Sequence, residues 1–196
     1  KSIRFWHQTI GMNYLQILKE RFDAFLMRRI FFPAYNFDDN LVKKLFRIIT
    51  KNKNIIIDGY AESLNYLNKL SKDNSLKLKS IISSAQILPK YIKKEIEQKF
   101  NTTVYDKYGS REFSGIAYEN NEQNGHLIQM ESYIVEIIKD NKKAKPGEIG
   151  EIVITDLNNL IMPMIRYRIG DLAEAISVDY NSCKIKMDRI GDIYGR

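Results

Sequence analysis

The sequence predicts an α/β protein in which a parallel crossover layer is followed by an antiparallel β meander or partial barrel. Two patterns carry that prediction. Between residues 54 and 112, short apolar runs alternate with helix-spaced segments over short links, the spacing of right-handed crossover units. From Gly125 onward the pattern changes to alternating β runs separated by turn residues. The composition agrees, because 44% hydrophobic and 11% aromatic residues in a chain of 196 suffice for one good core or two small ones. The expected divisions are a helical segment over 1–50, a parallel α/β subdomain over 51–124 and an antiparallel β subdomain over 125–196.

Taken in order, Gly11 to Ile30 carries Tyr14, Leu15, Leu18, Phe22, Phe25 and Leu26 at helical spacing, one apolar face, and Pro33 ends that unit. Asp38 or Asp39 caps a second helix whose buried side is Leu41, Val42, Leu45, Phe46, Ile48 and Ile49. Ile55-Ile56-Ile57 is a buried strand that breaks at Asp58-Gly59, and Glu62 to Leu70 reads as a helix. Lys79 to Ile82 is a second strand, ending in Ser83-Ser84-Ala85-Gln86, and Pro89 opens a helix that runs to about Phe100. Thr102 to Tyr105 is a third strand, ending at Tyr108-Gly109. The later β runs are His126–Lys139, Gly150–Leu157, Met164–Ile176 and Cys183–Ile190. Ligands of parallel sheets gather beyond the carboxyl ends of the strands, which here are Asp58-Gly59-Tyr60, Ser83-Ser84-Ala85 and Tyr108-Gly109-Ser110.

Charge and composition exclude several classes. The net charge of +7 comes from lysines scattered over helices and loops, without a recognition-helix or aromatic RNA-binding pattern, so no nucleic-acid partner is expected. The sequence holds no apolar run long enough to span a membrane. The single cysteine, Cys183, falls in an apparent strand and fits a reducing cytoplasm, and with only His7 and His126 as histidines a structural zinc site is not expected.

Three short segments carry the chemistry. In Tyr108-Gly109-Ser110-Arg111-Glu112, an aromatic ring leaves a strand end beside a glycine that permits close backbone approach, with a carboxylate four residues on. Mg²⁺ on a triphosphate takes one or two protein carboxylates, and Glu112 suits that use; taken alone, the segment reads better as an ordinary turn with a solvated glutamate. In Tyr167-Arg168-Ile169-Gly170-Asp171, a carboxylate just past glycine suits a two-point bond to vicinal ribose hydroxyls, the other reading being a surface pair between Arg168 and Asp171. Arg196, after Gly195, offers a cation to ribose or phosphate, or is a frayed end. Ser83, Ser84 and Ala85 are small enough for main-chain contact with an adenine edge.

These segments, in this order, resemble the fifth, seventh and opening eighth core motifs of the adenylate-forming (AMP-binding) enzymes. Gly147 to Leu157 and Met162 to Tyr167 resemble a narrower branch, that of phenylacetate–coenzyme A ligase and the related capsular polysaccharide biosynthesis proteins. The similarity is good from about residue 50 to the end and loose over the first fifty. It implies an ATP-dependent ligase of the cytoplasm that activates a small-molecule carboxylic acid as acyl-AMP, with coenzyme A or another acceptor taking the acyl group. The alternative is a non-catalytic nucleotide-binding or scaffolding module of the same fold. By position, the resemblance implies that Tyr108 stacks on adenine with Ser83, Ser84 and Ala85 lining the same slot, that Gly109 and Ser110 belong to the nucleotide-binding residues, that Glu112 binds Mg²⁺, that Asp171 holds the ribose hydroxyls and that Arg196 contacts ribose and phosphate. Arg111 stands where Ser or Thr is commonest, a subfamily mark that adds a phosphate contact. Tyr60, Gly115, Ile116 and Ala117 are expected to line the acid pocket. The family's Ser/Thr/Gly-rich phosphate loop and its small C-terminal domain are not found in this sequence, which reads as a middle-to-C-terminal part of the large domain. Those 196 residues by themselves are expected to be inactive.

Overall fold

A computed structural model describes residues 1–6, 13–35, 38–52, 54–71, 76–181 and 183–196. The chain divides into two compact units, Lys1–Tyr105 and Asp106–Arg196, rather than at residues 50 and 124.

The first unit is a parallel sheet with crossover helices. Its elements are β1 (Ser2–Phe5), α1 (Tyr14–Leu26), β2 (Arg29–Phe32), α2 (Asp39–Lys51), β3 (Ile56–Tyr60), α3 (Ala61–Leu70), β4 (Ser80–Ser84) and α4 (Lys90–Phe100). The strands lie in the order β4-β3-β1-β2, all parallel. Ile81 N–H donates to the Thr103 carbonyl at 3.1 Å, so the chain approaching its next strand runs beside β4. The first fifty residues are therefore not a helical segment alone, because β1 and β2 occupy two places in the sheet. Four-residue strands flanking a longer helix carry too few positions for a period to emerge, and β1 finds its second partner, β3, more than fifty residues away. Gly11, the expected start of the first helix, lies outside the described residues.

Local signals set the helix ends. Asn13 and Gln16 form a reciprocal capping box at α1, with both bonds at 2.9 Å. Asp38 Oδ1 accepts the Leu41 N–H at 2.7 Å and opens α2. Pro89 stands just ahead of α4, and Asn101 at φ 44° ends it in the left-handed conformation. Helix α2 buries Leu45 and Ile49, and α4 buries Ile92, Ile96 and Phe100, against a core with Ile3, Phe5, Ile57 and Ile81. Helix α1 buries none of its side chains, and its apolar residues stay open, Phe25 at 79% exposure. Spacing forms the helix, but a second surface has to cover its face.

The second unit holds two antiparallel groups of strands. Strand β5 (Val104–Ser110) enters it and pairs with β6 (Ser114–Glu119), which pairs with β7 (His126–Ile128), which pairs with β12 (Arg189–Ile190). The other sheet runs β13 (Ile193–Gly195), β11 (Tyr167–Glu174), β10 (Ile149–Asp156), β8 (Tyr133–Lys139) and β9 (Lys142–Lys143). Phe113, Ile116, Ile152, Ile154, Ile169 and Ala173 form its core. Cys183 is outside any strand, since only Arg189–Ile190 of the expected run pairs; the alternation of Lys184, Ile185 and Lys186 imitates a strand without a partner. Among the described residues no helix is long and apolar enough to cross a membrane.

A buried histidine ties β5, β7 and the turn before β13 together. His126 Nε2 lies 3.1 Å from Asp106 Oδ2 and Nδ1 lies 3.2 Å from the Gly191 carbonyl. Both partners only accept, so the doubly protonated ring satisfies both. Burial opposes the charge, but the Asp106 bond and charge, Glu119 and the Gly191 carbonyl outweigh it and raise the pKa above the ordinary value. A raised folded pKa gives stability that is complete below the unfolded value and is lost as pH rises through the folded one. Denaturant melts are thus expected to show this unit weakening as pH rises from about 6.5, and His126→Gln to remove that slope. A slope unchanged in the variant would assign it to another group.

Candidate functional site

The residues that the sequence marks for a nucleotide converge in the second unit. Strand β5 delivers Tyr108, and the register shifts between Tyr108 and Gly109 where β5 meets β6. A Cβ on Gly109 would fall 2.0 Å from the Ser114 carbonyl oxygen, so the strands pass at a distance only glycine permits. The turn that follows carries Ser110, Arg111 and Glu112. The Phe113 N–H donates to Ser110 Oγ at 3.2 Å, which fixes the turn, and Glu112 stands exposed on it.

Tyr108 Oη donates to Asp171 Oδ2 at 2.9 Å, across 63 residues of sequence. The other oxygen, Oδ1, lies 3.7 Å from Arg196 Nε. Gly170, at φ +87°, adopts the left-handed backbone that turns Asp171 to this position. Arg168 is committed elsewhere, to Glu151 Oε2 at 2.5 Å and Asn141 Oδ1 at 3.2 Å, which decides against a pair with Asp171. Burial first, then the bond and charge of Asp171, push the Tyr108 phenol far above its usual range, so it remains a neutral donor. The Glu112 carboxyl is held below its usual value by its own backbone N–H, the Ser110 hydroxyl and the charges of Arg196 and Arg111. The result is a buried donor fixing one oxygen of Asp171, an exposed guanidinium beside the other, and an ionised carboxylate on the adjoining turn.

The remaining sequence-marked residues are in the first unit. Ser83 and Ser84 close β4, both buried, with hydroxyls that have no hydrogen-bond partner among the described residues. Ala85 follows at φ 65°, a left-handed conformation that a non-glycine residue adopts at some cost. Ile116 and Ala117, expected in the acid pocket, are instead fully buried in the second core. Their place in that core makes them packing residues. Tyr108 itself is only 8% exposed, and sequence reasoning missed that its hydroxyl is spent on Asp171. Neither motif signals the other, because that contact arises from strand placement.

A single exposed carboxylate such as Glu112 fits Mg²⁺, which keeps several waters and takes phosphate oxygens for the rest. Among the described residues no three His, Cys, Asp or Glu side chains gather to cage a metal.

No family model matches the chain. It is 27% identical to protein CapK of Staphylococcus aureus over 84% of its own length, and 32% identical to phenylacetate-coenzyme A ligase of Pseudomonas putida over 63%. The chain is a relative of the adenylate-forming ligases. It spans well under half of these relatives, 37% of CapK and 28% of the ligase. Among solved structures, an open conformation of 2-hydroxyisobutyryl-CoA ligase, in complex with 2-HIB-AMP and CoA, superposes with a TM-score of 0.73 at 20% identity, over 100% of this chain and 44% of that one. O-succinylbenzoate coenzyme A synthetase from Bacillus subtilis, in complex with ATP and magnesium ion, gives 0.57 at 17% identity, over 89% and 39%. These likenesses establish the mixed α/β fold with one parallel and one antiparallel sheet.

Proposed function

We propose that the chain is the nucleotide-holding part of an ATP-dependent ligase that activates a carboxylic acid as acyl-AMP. In that reaction a carboxylate oxygen bonds to the α-phosphorus of ATP, the bond to pyrophosphate breaks, and the acyl group then passes to coenzyme A or another acceptor. The observation that carries this reading is the Tyr108–Asp171–Arg196 array. A carboxylate oxygen accepts two bonds, so Asp171 keeps capacity for both ribose hydroxyls after Tyr108 has taken one site. Tyr108 acts here as a positioning residue, holding the carboxylate in one rotamer, with its ring edge toward adenine. Arg196 reaches ribose and phosphate. Arg111 faces phosphate beside Glu112, the residue that would hold Mg²⁺, whose chemistry is to neutralise charge on the departing pyrophosphate. The relatives' names and the ligands of the solved structures support this reading, including a place in the phenylacetate-CoA ligase and CapK branch.

Glu112→Ala in the intact protein is expected to leave ATP affinity within about threefold while lowering adenylation about 100-fold, since the metal matters most as charge develops. Acid-dependent pyrophosphate exchange, measured beside ATP affinity, separates the two effects. A variant that exchanges like the parent would remove Glu112 from the metal.

The second reading, a nucleotide-binding module without catalysis, is favoured by one observation. These 196 residues contain no Ser/Thr/Gly-rich loop to hold a triphosphate. Expressed by themselves they are expected to bind nucleotide without pyrophosphate exchange. Exchange restored in a longer form of the protein supports the ligase, and its absence there supports the module.

A further inference from the structure

In the first unit, the strand ends carry a second constellation, of which the nucleotide expectation uses only Ser84. Alternation along parallel strands places Arg4 and Trp6, Asp58 and Tyr60, and Ser84 on one face, with Arg4 beside Asp58 and Tyr60 beside Ser84 in register. The rings form a row. Trp6 and Tyr60 have centroids 4.8 Å apart, Tyr60 and Tyr35 6.3 Å apart at 19°, and the Arg4 guanidinium lies 5.7 Å from the Trp6 ring centroid. Each ring keeps part of its surface in solvent.

Beneath the row, the Arg4–Asp58 pair is one-sided. Arg4 Nη2 and Nε both reach Asp58 Oδ2, at 2.7 and 2.9 Å, although a fork-to-fork geometry would engage both oxygens. Among the described residues Asp58 Oδ1 is left buried with no partner, and so is Ser84 Oγ, its diagonal neighbour on the same face. A buried carboxylate oxygen without a donor is costly, and folded proteins seldom keep one. Packing alone accounts for the rings but not for an acceptor and a hydroxyl both left unmatched at the ligand-binding edge of a parallel sheet.

We propose that this row is the acid-selecting wall of the ligase, and that it prefers carboxylic acids whose body is a flat ring bearing a hydroxyl or amino donor. The inference rests on the adenylate-forming reading and adds the class of acid to it. The ring lies against Trp6 and Tyr60, its donor bonds Asp58 Oδ1, and Ser84 Oγ meets the same substituent. Both polar atoms are shut off from solvent in the present arrangement, so a ligand reaching them has to shift a ring of the row.

Trp6 is the sole tryptophan of the chain, so its emission reports that shift directly. The full 196-residue chain is titrated with 4-hydroxybenzoate, 4-aminobenzoate, benzoate and cyclohexanecarboxylate, with ATP affinity measured in parallel by calorimetry. A saturable emission change is expected for the hydroxy and amino acids, with benzoate roughly 10- to 100-fold weaker and cyclohexanecarboxylate weaker still. Asp58→Asn, checked for folding by circular dichroism, is expected to compress the preference for the hydroxy acid. Ser84→Ala, which leaves the Arg4–Asp58 pair intact, is expected to reduce it severalfold. Equal binding of benzoate and its hydroxy analogue overturns the proposal, as does an unchanged preference in Ser84→Ala, which would mean that buried water alone satisfies these atoms. ATP binding without any response to the acids overturns the acid wall and leaves the nucleotide reading standing. Loss of both defeats the reading on which the proposal rests.

Discussion

Asp171→Ala is expected to weaken ATP binding by about 2–3 kcal/mol, roughly 30- to 150-fold. On the proposed reading the carboxylate supplies a charge-assisted, two-point contact to vicinal hydroxyls, with its geometry set in advance because Tyr108 Oη donates to Oδ2 at 2.9 Å. Removal has a second consequence. Tyr108 is 8% exposed, so its phenol loses its acceptor inside the protein, at about 1–3 kcal/mol of stability. Calorimetric affinity and thermal melts on the same variant separate these effects, and Tyr108→Phe calibrates them. It gives up the hydroxyl without stranding a buried donor, so it is expected to keep most of the stability and lose only severalfold in affinity. If Asp171→Ala binds ATP like the parent, the ribose assignment fails even where stability falls as expected.

The second large effect is expected at Gly109. Its missing Cβ would sit 2.0 Å from a backbone oxygen, that of Ser114, which cannot rotate away as a side-chain tip would. Gly109→Ala therefore has to separate β5 from β6 at the bulge, and overpacking of this kind costs about 1–3 kcal/mol or more. The displaced backbone is the one that carries Tyr108 and the turn to Glu112, so nucleotide affinity should fall with stability. Gly147 provides the control. It has φ +87° and a Cβ there would meet nothing within 4 Å, so alanine costs only the left-handed conformation, about 1–2 kcal/mol. Urea unfolding is expected to find Gly109→Ala the less stable of the two, and ATP affinity to fall only in that variant. Equal stabilities would contradict the close approach of the strands.

How far the sequence was legible follows from where each signal resides. Contiguous apolar runs and Pro89 define α3, β4 and α4 to within a residue or two, because local propensity and burial agree there, whereas β3 continues through the expected break at Asp58-Gly59 to Tyr60. Strands β1 and β2 escape the same reading, since Ser2–Phe5 and Arg29–Phe32 become strands through lateral pairing rather than any period of their own. The run after Cys183 errs in the other direction, its alternation unmatched by a partner strand. At the site, Tyr108, Glu112, Gly170, Asp171 and Arg196 are visible as motif members because each lies within a few residues of a glycine the backbone requires. The bond between Tyr108 and Asp171 is not visible, nor is the shared face of Asp58 and Ser84, since both arise from strand register. The apolar spacing of α1 likewise specifies a helix and leaves open what covers it.

On the proposed reading Asp171, held by Tyr108, recognises the ribose of an adenine nucleotide. The most direct measurement compares the affinity of the chain for ATP and for 2′,3′-dideoxy-ATP by calorimetry, in the parent and in Asp171→Ala. The parent is expected to prefer ATP by roughly tenfold or more, the worth of bonds to a charged acceptor, and Asp171→Ala to bind the two nucleotides alike. Equal affinity of the parent for both nucleotides, or a preference that survives Asp171→Ala, would contradict it.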